Sequence, residues 1–241
     1  MPADEANAFI TFEMISACEE PGLKLLSFDE LLAYCDLGIL PIAPAGHDDS
    51  LSSSGAVGEA FSHQSSDPMI QQSSLFVGVD VARKHDLCVI DVGEKIGDVV
   101  WDRVRIELQG ATFAQIEAEL YRLLRLRETK RACIDATGIG AQLAERARKR
   151  FGWKVEPINF TAAIKGELAF GLRTDFEEKR LRIVCDDKLT ADLRSLKKQI
   201  TSSGNLRFEG HFGDSHCDRF WAKALRQHAA RHVPKVRGAV G

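Results

Sequence analysis

The sequence lacks the features of a membrane or secreted protein. Its 241 residues contain no run of eighteen apolar side chains, so no segment is a candidate for a transmembrane helix. The first residues, MPADEANAF, are acidic rather than basic, and they do not lead into the apolar core that a secretory signal has. We therefore expect a cytoplasmic protein with no membrane partner.

The sequence also lacks paired cysteines and nucleotide-binding loops. Its six cysteines form no CxxC pair and lie mostly in apolar segments, which predicts buried thiols and no cysteine-based metal site. Neither GxxxxGKS nor GxxxxGKT occurs. The turn ATGIG supplies Gly138 and Gly140, but Leu143 stands where a dinucleotide-binding fingerprint needs a third glycine. We therefore expect no ATP-binding loop and no dinucleotide site.

Charge is distributed unevenly along the chain. Residues 1–74 contain 12 of the 35 acids and one of the 32 bases, which leaves 23 acids and 31 bases in the remainder. Many of these bases gather in RLLRLRETKR (122–131), ERARKR (145–150) and RSLKK (194–198). A basic domain behind an acidic extension is typical of nucleic-acid-binding proteins, because neutralisation of phosphates drives that binding. Each cluster taken singly also fits a solvated helix face.

Composition divides the chain into four regions. Residues 1–45 form an acidic helical extension, and residues 46–74 form a linker rich in Ser and Gly. Residues 75–231 alternate between strand and helix patterns and constitute the principal domain. Residues 232–241 form a basic C-terminal tail.

The order of predicted elements indicates the fold class of the principal domain. Three strands separated by short polar turns favour an antiparallel meander, and two further strands that alternate with helices favour parallel pairing. The five predicted strands span 75–81, 86–92, 98–108, 130–136 and 153–159. The predicted helices begin at Thr112 and Gly138 and cover 161–178, 187–200 and 214–231. This is the order of an α/β, ribonuclease H-like fold, in which helices flank a mixed five-stranded sheet.

Three aspartates fall at positions that the pattern predicts to be buried or half-buried. Asp80 lies in the first strand between two valines, and Asp135 closes the fourth strand, at the end where ligands bind in open α/β sheets. Asp218 shares the inward face of the last helix with Trp221 and Leu225. If the first and fourth strands are neighbours, with the last helix across them, the three carboxylates converge.

A buried carboxylate is costly unless it is paired or binds a metal. Clustered oxygen ligands suit Mg²⁺ or Mn²⁺, and two such ions about 4 Å apart activate a water and stabilise the leaving oxygen of a phosphodiester. We therefore expect Asp80, Asp135 and Asp218 to be catalytic metal ligands. Taken singly, each aspartate also fits a helix cap or an arginine partner.

Three further residues each have two interpretations. Asp86 is either a ligand of a second metal or an acid at a strand edge. His216 either positions a water or phosphate or takes a backbone partner in a turn. Lys165 either contacts phosphate or is a solvated helix lysine. The role expected of Asp214 is to cap the last helix.

Several stretches resemble a known protein family. They are GVDVARKHD (78–86), IDATGIGAQL (134–143), PINFTAAIKGEL (157–168) and SHCDRFWAKAL (215–225). On these stretches, residues 76–231 resemble the nuclease domain of the large terminase subunit of tailed bacteriophages, in the version of Mu-like phages and prophages. DEANAFITFEMISACEE also resembles the segment that joins the ATPase of this family to its nuclease.

The resemblance implies a metal-dependent endonuclease that cuts double-stranded viral DNA during packaging, in the bacterial host cytoplasm. It implies metal-binding roles for Asp80, Asp135 and Asp218, and an auxiliary role for Asp86. Lys165 falls in a recurrent motif. The implied partners are a packaging ATPase domain, a small terminase subunit and a portal. The ATPase of the family is not in this sequence, which we interpret as a fragment, a split gene product or a prophage remnant.

Two other functions stay open. Another ribonuclease H-like nuclease, such as a junction resolvase, would prefer branched DNA. A docking or DNA-binding module without catalysis would bind DNA with no dependence on metal. A sugar-kinase or actin-like ATPase is excluded, because it needs a second domain of this kind and the chain is too short for one.

Overall fold

The computed structural model of the chain describes residues 8–37, 73–81, 87–200, 206–210 and 216–232. Most of the predicted linker and most of the predicted basic tail lie outside these ranges. In the described part of the chain, no helix combines the length and the apolar character that crossing a lipid bilayer requires.

A six-stranded mixed sheet, in the order β5-β4-β1-β2-β3-β6, forms the centre of the fold. Its strands are β1 (Leu75–Asp80), β2 (Leu87–Ile96), β3 (Val99–Gln109), β4 (Thr129–Asp135), β5 (Val155–Ile158) and β6 (Leu181–Arg182). The antiparallel meander β1-β2-β3 is as predicted, and so is the parallel pairing of β4 with β1 and β5. The sheet has six strands rather than five, because β6 pairs with β3. A two-residue strand has no alternation that sequence analysis can detect.

Seven α-helices surround this sheet in the described part of the chain. They are α1 (Phe12–Ser16), α2 (Phe28–Leu37), α3 (Phe113–Arg125), α4 (Gly140–Phe151), α5 (Ala162–Glu177), α6 (Asp187–Ser195) and α7 (Asp218–Arg231).

A separate hairpin joins β7 (Lys197–Ile200) to β8 (Leu206–Glu209). The predicted helix over 187–200 is therefore wrong at its end, because α6 stops at Ser195 and residues 197–200 form β7. Cys217 occupies the N-cap position of α7 but makes no capping hydrogen bond with its side chain, and the expected cap, Asp214, lies outside the described residues.

Local capping sets where two of the helices begin. The Thr112 side chain accepts a hydrogen bond from the Gln115 backbone N–H at 3.3 Å, and the Gln115 side chain accepts one from the Thr112 N–H at 2.8 Å. Ser27 and Glu30 repeat this reciprocal pattern at 3.2 and 2.7 Å. These capping boxes satisfy N–H groups that the first turn of a helix leaves without partners.

Hydrophobic cores lie on both faces of the sheet. One contains residues of α1, α5, α6 and α7, and the other contains residues of α2, α3 and α4. The N-terminal segment contributes to both, because Ile10 and Ile15 belong to the first and Leu31 and Tyr34 to the second. Residues 8–37 are thus packed into the same body as the sheet.

Helix α7 lies directly against β1 at Gly78. A β-carbon at Gly78 would overlap the carbonyl oxygen of Ala222 and the backbone nitrogen of Arg226. The backbones of helix and strand therefore touch, and only glycine at this position permits that contact.

Charged side chains of α7 are buried beneath it in ion pairs. Lys223 Nζ lies 2.7 Å from an oxygen of Asp102 and 3.3 Å from one of Asp91. Arg226 Nη1 lies 2.5 Å and 3.2 Å from oxygens of the same two aspartates. Burial alone would raise the pKa of Asp102, but Lys223 and Arg226 hold it below its ordinary value. Two acids and two bases thus neutralise one another under the helix.

Substitution of Gly78 tests the contact between α7 and β1. We expect Gly78→Ala to lower the free energy of unfolding by about 3 kcal/mol, because the added methyl group must push the helix backbone away. Urea unfolding measures this change. The matched control is Gly166→Ala in α5, where an added β-carbon would meet only Phe208 at 3.9 Å. Equal stability of the two variants would contradict the close crossing.

Candidate active site

Asp80 and Asp135 end two neighbouring parallel strands. Val79 of β1 lies opposite Ile134 of β4, so the residue that follows each one lies at the same edge of the sheet. Those residues are Asp80 and Asp135, with 8% and 7% of their surfaces exposed. The structure therefore brings the two strand acids together, both buried, at the edge where ligands reach an open α/β sheet.

Asp218 reaches the same edge from α7. It is the first residue of the helix and is 6% exposed. It lies one turn before Ala222, and Asp80 lies two residues after Gly78, where Ala222 touches the strand. Four residues of a helix and two residues of a strand each span about 6 Å. If α7 runs antiparallel to β1, Asp218 therefore lies beside Asp80.

Electrostatics show how closely the acids interact. Burial, followed by the charges of Asp218 and Asp135, raises the pKa of Asp80 well above its ordinary value, and Asp192 adds to this effect. Burial also raises the pKa of Asp135, although hydrogen bonds from Thr137 oppose it. The Thr137 backbone N–H donates to Asp135 Oδ1 at 2.8 Å. The site without a cation therefore favours uptake of a proton.

Lys165 faces these acids from the first turns of α5. Its charge opposes the raised pKa of both Asp80 and Asp135. Its ammonium nitrogen lies 4.7 Å from the centre of the Trp221 ring and 5.2 Å from that of Phe160. The side chain is half-buried, so it is not a fully solvated helix lysine. Cation–π contacts of this kind hold an ammonium group in place while it keeps its charge.

Asp192 is a fourth acid, which sequence analysis missed. It is fully buried in α6 and accepts hydrogen bonds from the backbone N–H and the guanidinium of Arg219 at 3.1 and 3.3 Å. Arg219 also binds Glu107 of β3. The available signal was spacing, because Asp192 lies three residues after Leu189 and one before Leu193 and so shares their inward face.

The glycine turn after β4 has a packing role. A β-carbon at Gly140 would overlap the carbonyl oxygen of Asp135 and come within 3.3 Å of Val81. Gly138 has a φ of +61°, in the left-handed region that glycine adopts readily. These two glycines turn the chain tightly behind Asp135, so the geometry explains their presence without a phosphate.

His216 and Asp86 are the two other residues that sequence analysis proposed for the site. The exposed His216 precedes α7, and its backbone N–H donates to Asp218 Oδ2 at 3.2 Å. Asp86 lies outside the described residues, so its role as an auxiliary ligand stays a prediction.

The three basic clusters lie at different ends of the domain. Segment 122–131 surrounds the start of β4, about 20 Å along that strand from Asp135. Helix α4 carries segment 145–150 away from Asp135 over a length of about 18 Å. Segment 194–198 begins in α6 two residues after Asp192. The charge of Asp192 acts on Asp80, so the start of this segment lies close to the acid site.

The donor set fits a divalent cation. Asp80, Asp135 and Asp218 offer hard carboxylate oxygens from three different elements, and Lys165 supplies one positive charge against three carboxylates. Hard oxygen donors with excess negative charge are what Mg²⁺ and Mn²⁺ bind in proteins. A cation between them would remove the repulsion that now raises the pKa of Asp80.

The chain is similar to known proteins in sequence and in fold. A family model described as the terminase RNaseH-like domain matches residues 77–229. The large terminase nuclease from the thermophilic phage G20c is 22% identical, with a TM-score of 0.56, and the alignment covers 65% of this chain and 82% of that one. The same nuclease with bound magnesium is 22% identical, with a TM-score of 0.55 and coverages of 66% and 82%. The nuclease domain of the Thermus phage P74-26 large terminase is 21% identical, with a TM-score of 0.52 and coverages of 64% and 78%.

These likenesses confirm the α/β, ribonuclease H-like fold class. The family match does not distinguish the Mu-like version, which stays a prediction. No match was found among curated protein sequences.

A stability measurement without metal tests the repulsion among the acids. In EDTA at neutral pH, we expect Asp80→Asn to be more stable than wild type, because it removes a buried charge that the other acids repel. The raised pKa of Asp80 means that the wild type loses stability as pH rises through that pKa. The advantage of the variant should therefore shrink as pH falls towards the ordinary pKa of aspartate.

Chemical unfolding between acidic and neutral pH measures this difference, with the exposed Asp98→Asn as the matched control. Saturating Mg²⁺ should stabilise wild type more than Asp80→Asn, because ligand binding to the folded state adds to its stability. A variant no more stable than wild type in EDTA at neutral pH would contradict the repulsion.

Proposed function

Since the chain belongs to the family of terminase RNaseH-like domains, whose model matches more than half of its length, we propose that it is a metal-dependent endonuclease that cleaves double-stranded viral DNA during genome packaging. The observation that carries the proposal is the meeting of three buried acids, Asp80, Asp135 and Asp218, at one edge of the sheet. We assign them as the metal ligands. The similar G20c nuclease has been solved with bound magnesium, which supports a divalent cation here.

Each acid has a defined task in this proposal. Two Mg²⁺ or Mn²⁺ ions would supply an activated water and neutralise the charge on the leaving oxygen. Asp80 and Asp135 are held rigidly by the parallel strands that they end. Asp218 is oriented by the His216 N–H and by the seating of α7 on Gly78. Asp86 is the proposed auxiliary ligand.

Lys165 is proposed as a contact for the DNA phosphate. Its ammonium group lies beside Asp80 and Asp135, and the Phe160 and Trp221 rings hold it there. An ammonium at that point would attract the phosphate that the cations also bind. His216 is a weaker candidate for the same role, since its described contact is made by its backbone.

The wider machinery is part of the proposal. We infer that DNA approaches along segment 194–198, because it begins two residues after Asp192, whose charge acts on Asp80. Segment 122–131 surrounds the opposite end of β4 from Asp135, and α4 carries segment 145–150 away from Asp135. The similar solved structures are nucleases of large terminases, which supports a place in DNA packaging. The proposed partners are a packaging ATPase domain, a small terminase subunit and a portal.

A plasmid-cleavage assay tests the assignment of the acids. With Mn²⁺ or Mg²⁺, the protein should nick and linearise supercoiled plasmid, and EDTA should stop it. Asp135→Ala should lower the rate by more than about a hundredfold, since losing even an outer partner of a metal ligand costs up to that much. Asp98→Asn, in an exposed turn, is the matched control and should cut normally.

Unchanged cutting by Asp135→Ala would refute the assigned site. Cutting only of branched DNA by the wild type would instead favour a junction resolvase. Binding of DNA without cleavage, independent of metal, would favour a docking module.

A second variant separates the role of Lys165 from that of the acids. Lys165→Gln should slow cleavage by about tenfold to a hundredfold, which corresponds to one lost charge-assisted hydrogen bond. Its affinity for Mg²⁺ should be unchanged or higher, because a repelling positive charge is gone. Rates over a Mg²⁺ titration measure both effects, with the exposed Lys149→Gln of α4 as control. Weaker Mg²⁺ binding with a normal maximal rate would contradict the phosphate contact.

A further inference from the structure

A second group of potential metal ligands lies between the sheet and α7. Cys133 of β4 is paired in register with Glu156 of β5, and its sulfur lies 3.3 Å from Glu156 Oε2. His228 of α7 places Nε2 3.9 Å from the same oxygen. One donor atom from each residue lies within 4.8 Å of the other two. Three residues from three elements therefore converge on one point.

We propose that Cys133, Glu156 and His228 form a binding site for a Zn²⁺-type transition metal ion, separate from the acid site. Zinc binds thiolate, imidazole and carboxylate together, and bonds of about 2.0–2.3 Å place its tetrahedral ligands about 3.3–3.8 Å apart. The separations of 3.3 and 3.9 Å already fall near that range. Solvent supplies the fourth ligand.

Two of the three ligands have protonation states that suit this ion, whereas burial and the charge of Glu156 raise the pKa of the Cys133 thiol, so the ion must displace its proton. Burial, together with the neighbouring His232, lowers the pKa of His228, so its imidazole is neutral at neutral pH. Burial alone would raise the pKa of Glu156, but hydrogen bonds from Arg131 and Cys133 hold it below its ordinary value. A neutral imidazole and an ionised carboxylate are the forms that bind metal, and the thiol proton leaves when the ion enters.

Arg131 has a supporting place in the site. Its guanidinium donates to Glu156 Oε2 and so fixes the orientation of the carboxylate, as outer partners of ligating carboxylates do. The ion pair with Arg131 is enough to explain why a glutamate is present at position 156. It gives no reason for a thiol and an imidazole to converge on the same carboxylate oxygen.

The site differs from the acid site in position and in chemistry. Cys133 lies two residues before Asp135, about 7 Å back along β4, and His228 lies ten residues after Asp218. Thiolate and imidazole favour zinc or cobalt, whereas the three aspartates favour magnesium or manganese. An ion here would fasten the second half of α7 to β4 and β5. This assignment does not depend on nuclease activity.

Cobalt is the probe for the test, because a thiolate bound to Co²⁺ gives a charge-transfer absorption that carboxylates cannot give. Titration of the metal-free, full-length protein should produce this absorption at one ion per chain, and excess Mg²⁺ should not remove it. Cys133→Ser should abolish the absorption. Cys185→Ser, which removes an exposed thiol, should retain it. A folded wild type without the absorption, or an absorption that survives Cys133→Ser, would overturn the site.

A second variant gives a test that does not depend on the folding of Cys133→Ser, which changes a fully buried side chain. His228→Gln, at a half-buried position, should weaken Zn²⁺ binding at least tenfold, since loss of an outer partner alone costs that much. Zinc should also raise the melting temperature of wild type and not that of His228→Gln. Equal zinc affinity of the two folded proteins would overturn the site.

Discussion

The contact between α7 and Gly78 determines where the acids lie. Because the helix and strand backbones touch at that point, the position of Asp218 relative to Asp80 depends on how deeply the helix is seated. The strand pair β1-β4 sets Asp80 beside Asp135, but the third acid comes from an element distant in sequence. A shift of α7 by even one ångström would therefore change the site, since metal ligands must hold their geometry closely.

Two groups of buried charges lie along α7, and they differ in balance. Beneath the middle of the helix, Asp91 and Asp102 are matched by Lys223 and Arg226, so no net charge remains. At its start, burial and the charges of Asp218 and Asp135 raise the pKa of Asp80, and the charge of Lys165 opposes this rise. The positive end of the helix dipole offsets part of that rise. The buried acids beneath the middle of the helix are thus paired with bases, whereas those at its start repel one another.

Sequence patterns predicted the main sheet and the burial of all three acids, whose role as metal ligands stays a prediction. Strand alternation and strand ends gave Asp80 and Asp135, and helical spacing gave Asp218. Patterns failed for Lys223 and Arg226, because helical periodicity assumes one solvated face, whereas α7 is buried on almost every side by β1, β2, β4, α5 and α6. Asp192 was missed for a different reason: its charge suggested exposure, although helical spacing places it on the inward face of α6. The end of α6 was missed because residues 196–200 fit a helix as well as a strand.

The rigid seating of α7 supports the proposed binding of cations at this site. Asp218 cannot move away from Asp80, because Gly78 and the buried pairs of Lys223 and Arg226 hold the helix in place. Repulsion among the acids can then be relieved only by a proton or by a cation. At neutral pH protons are scarce, whereas a divalent ion carries twice the charge and accepts several oxygen ligands at once. A fold that holds carboxylates this close together favours a bound cation. The pKa of Asp80, raised first by burial and then by the charges of Asp218 and Asp135, is consistent with the proposed metal site.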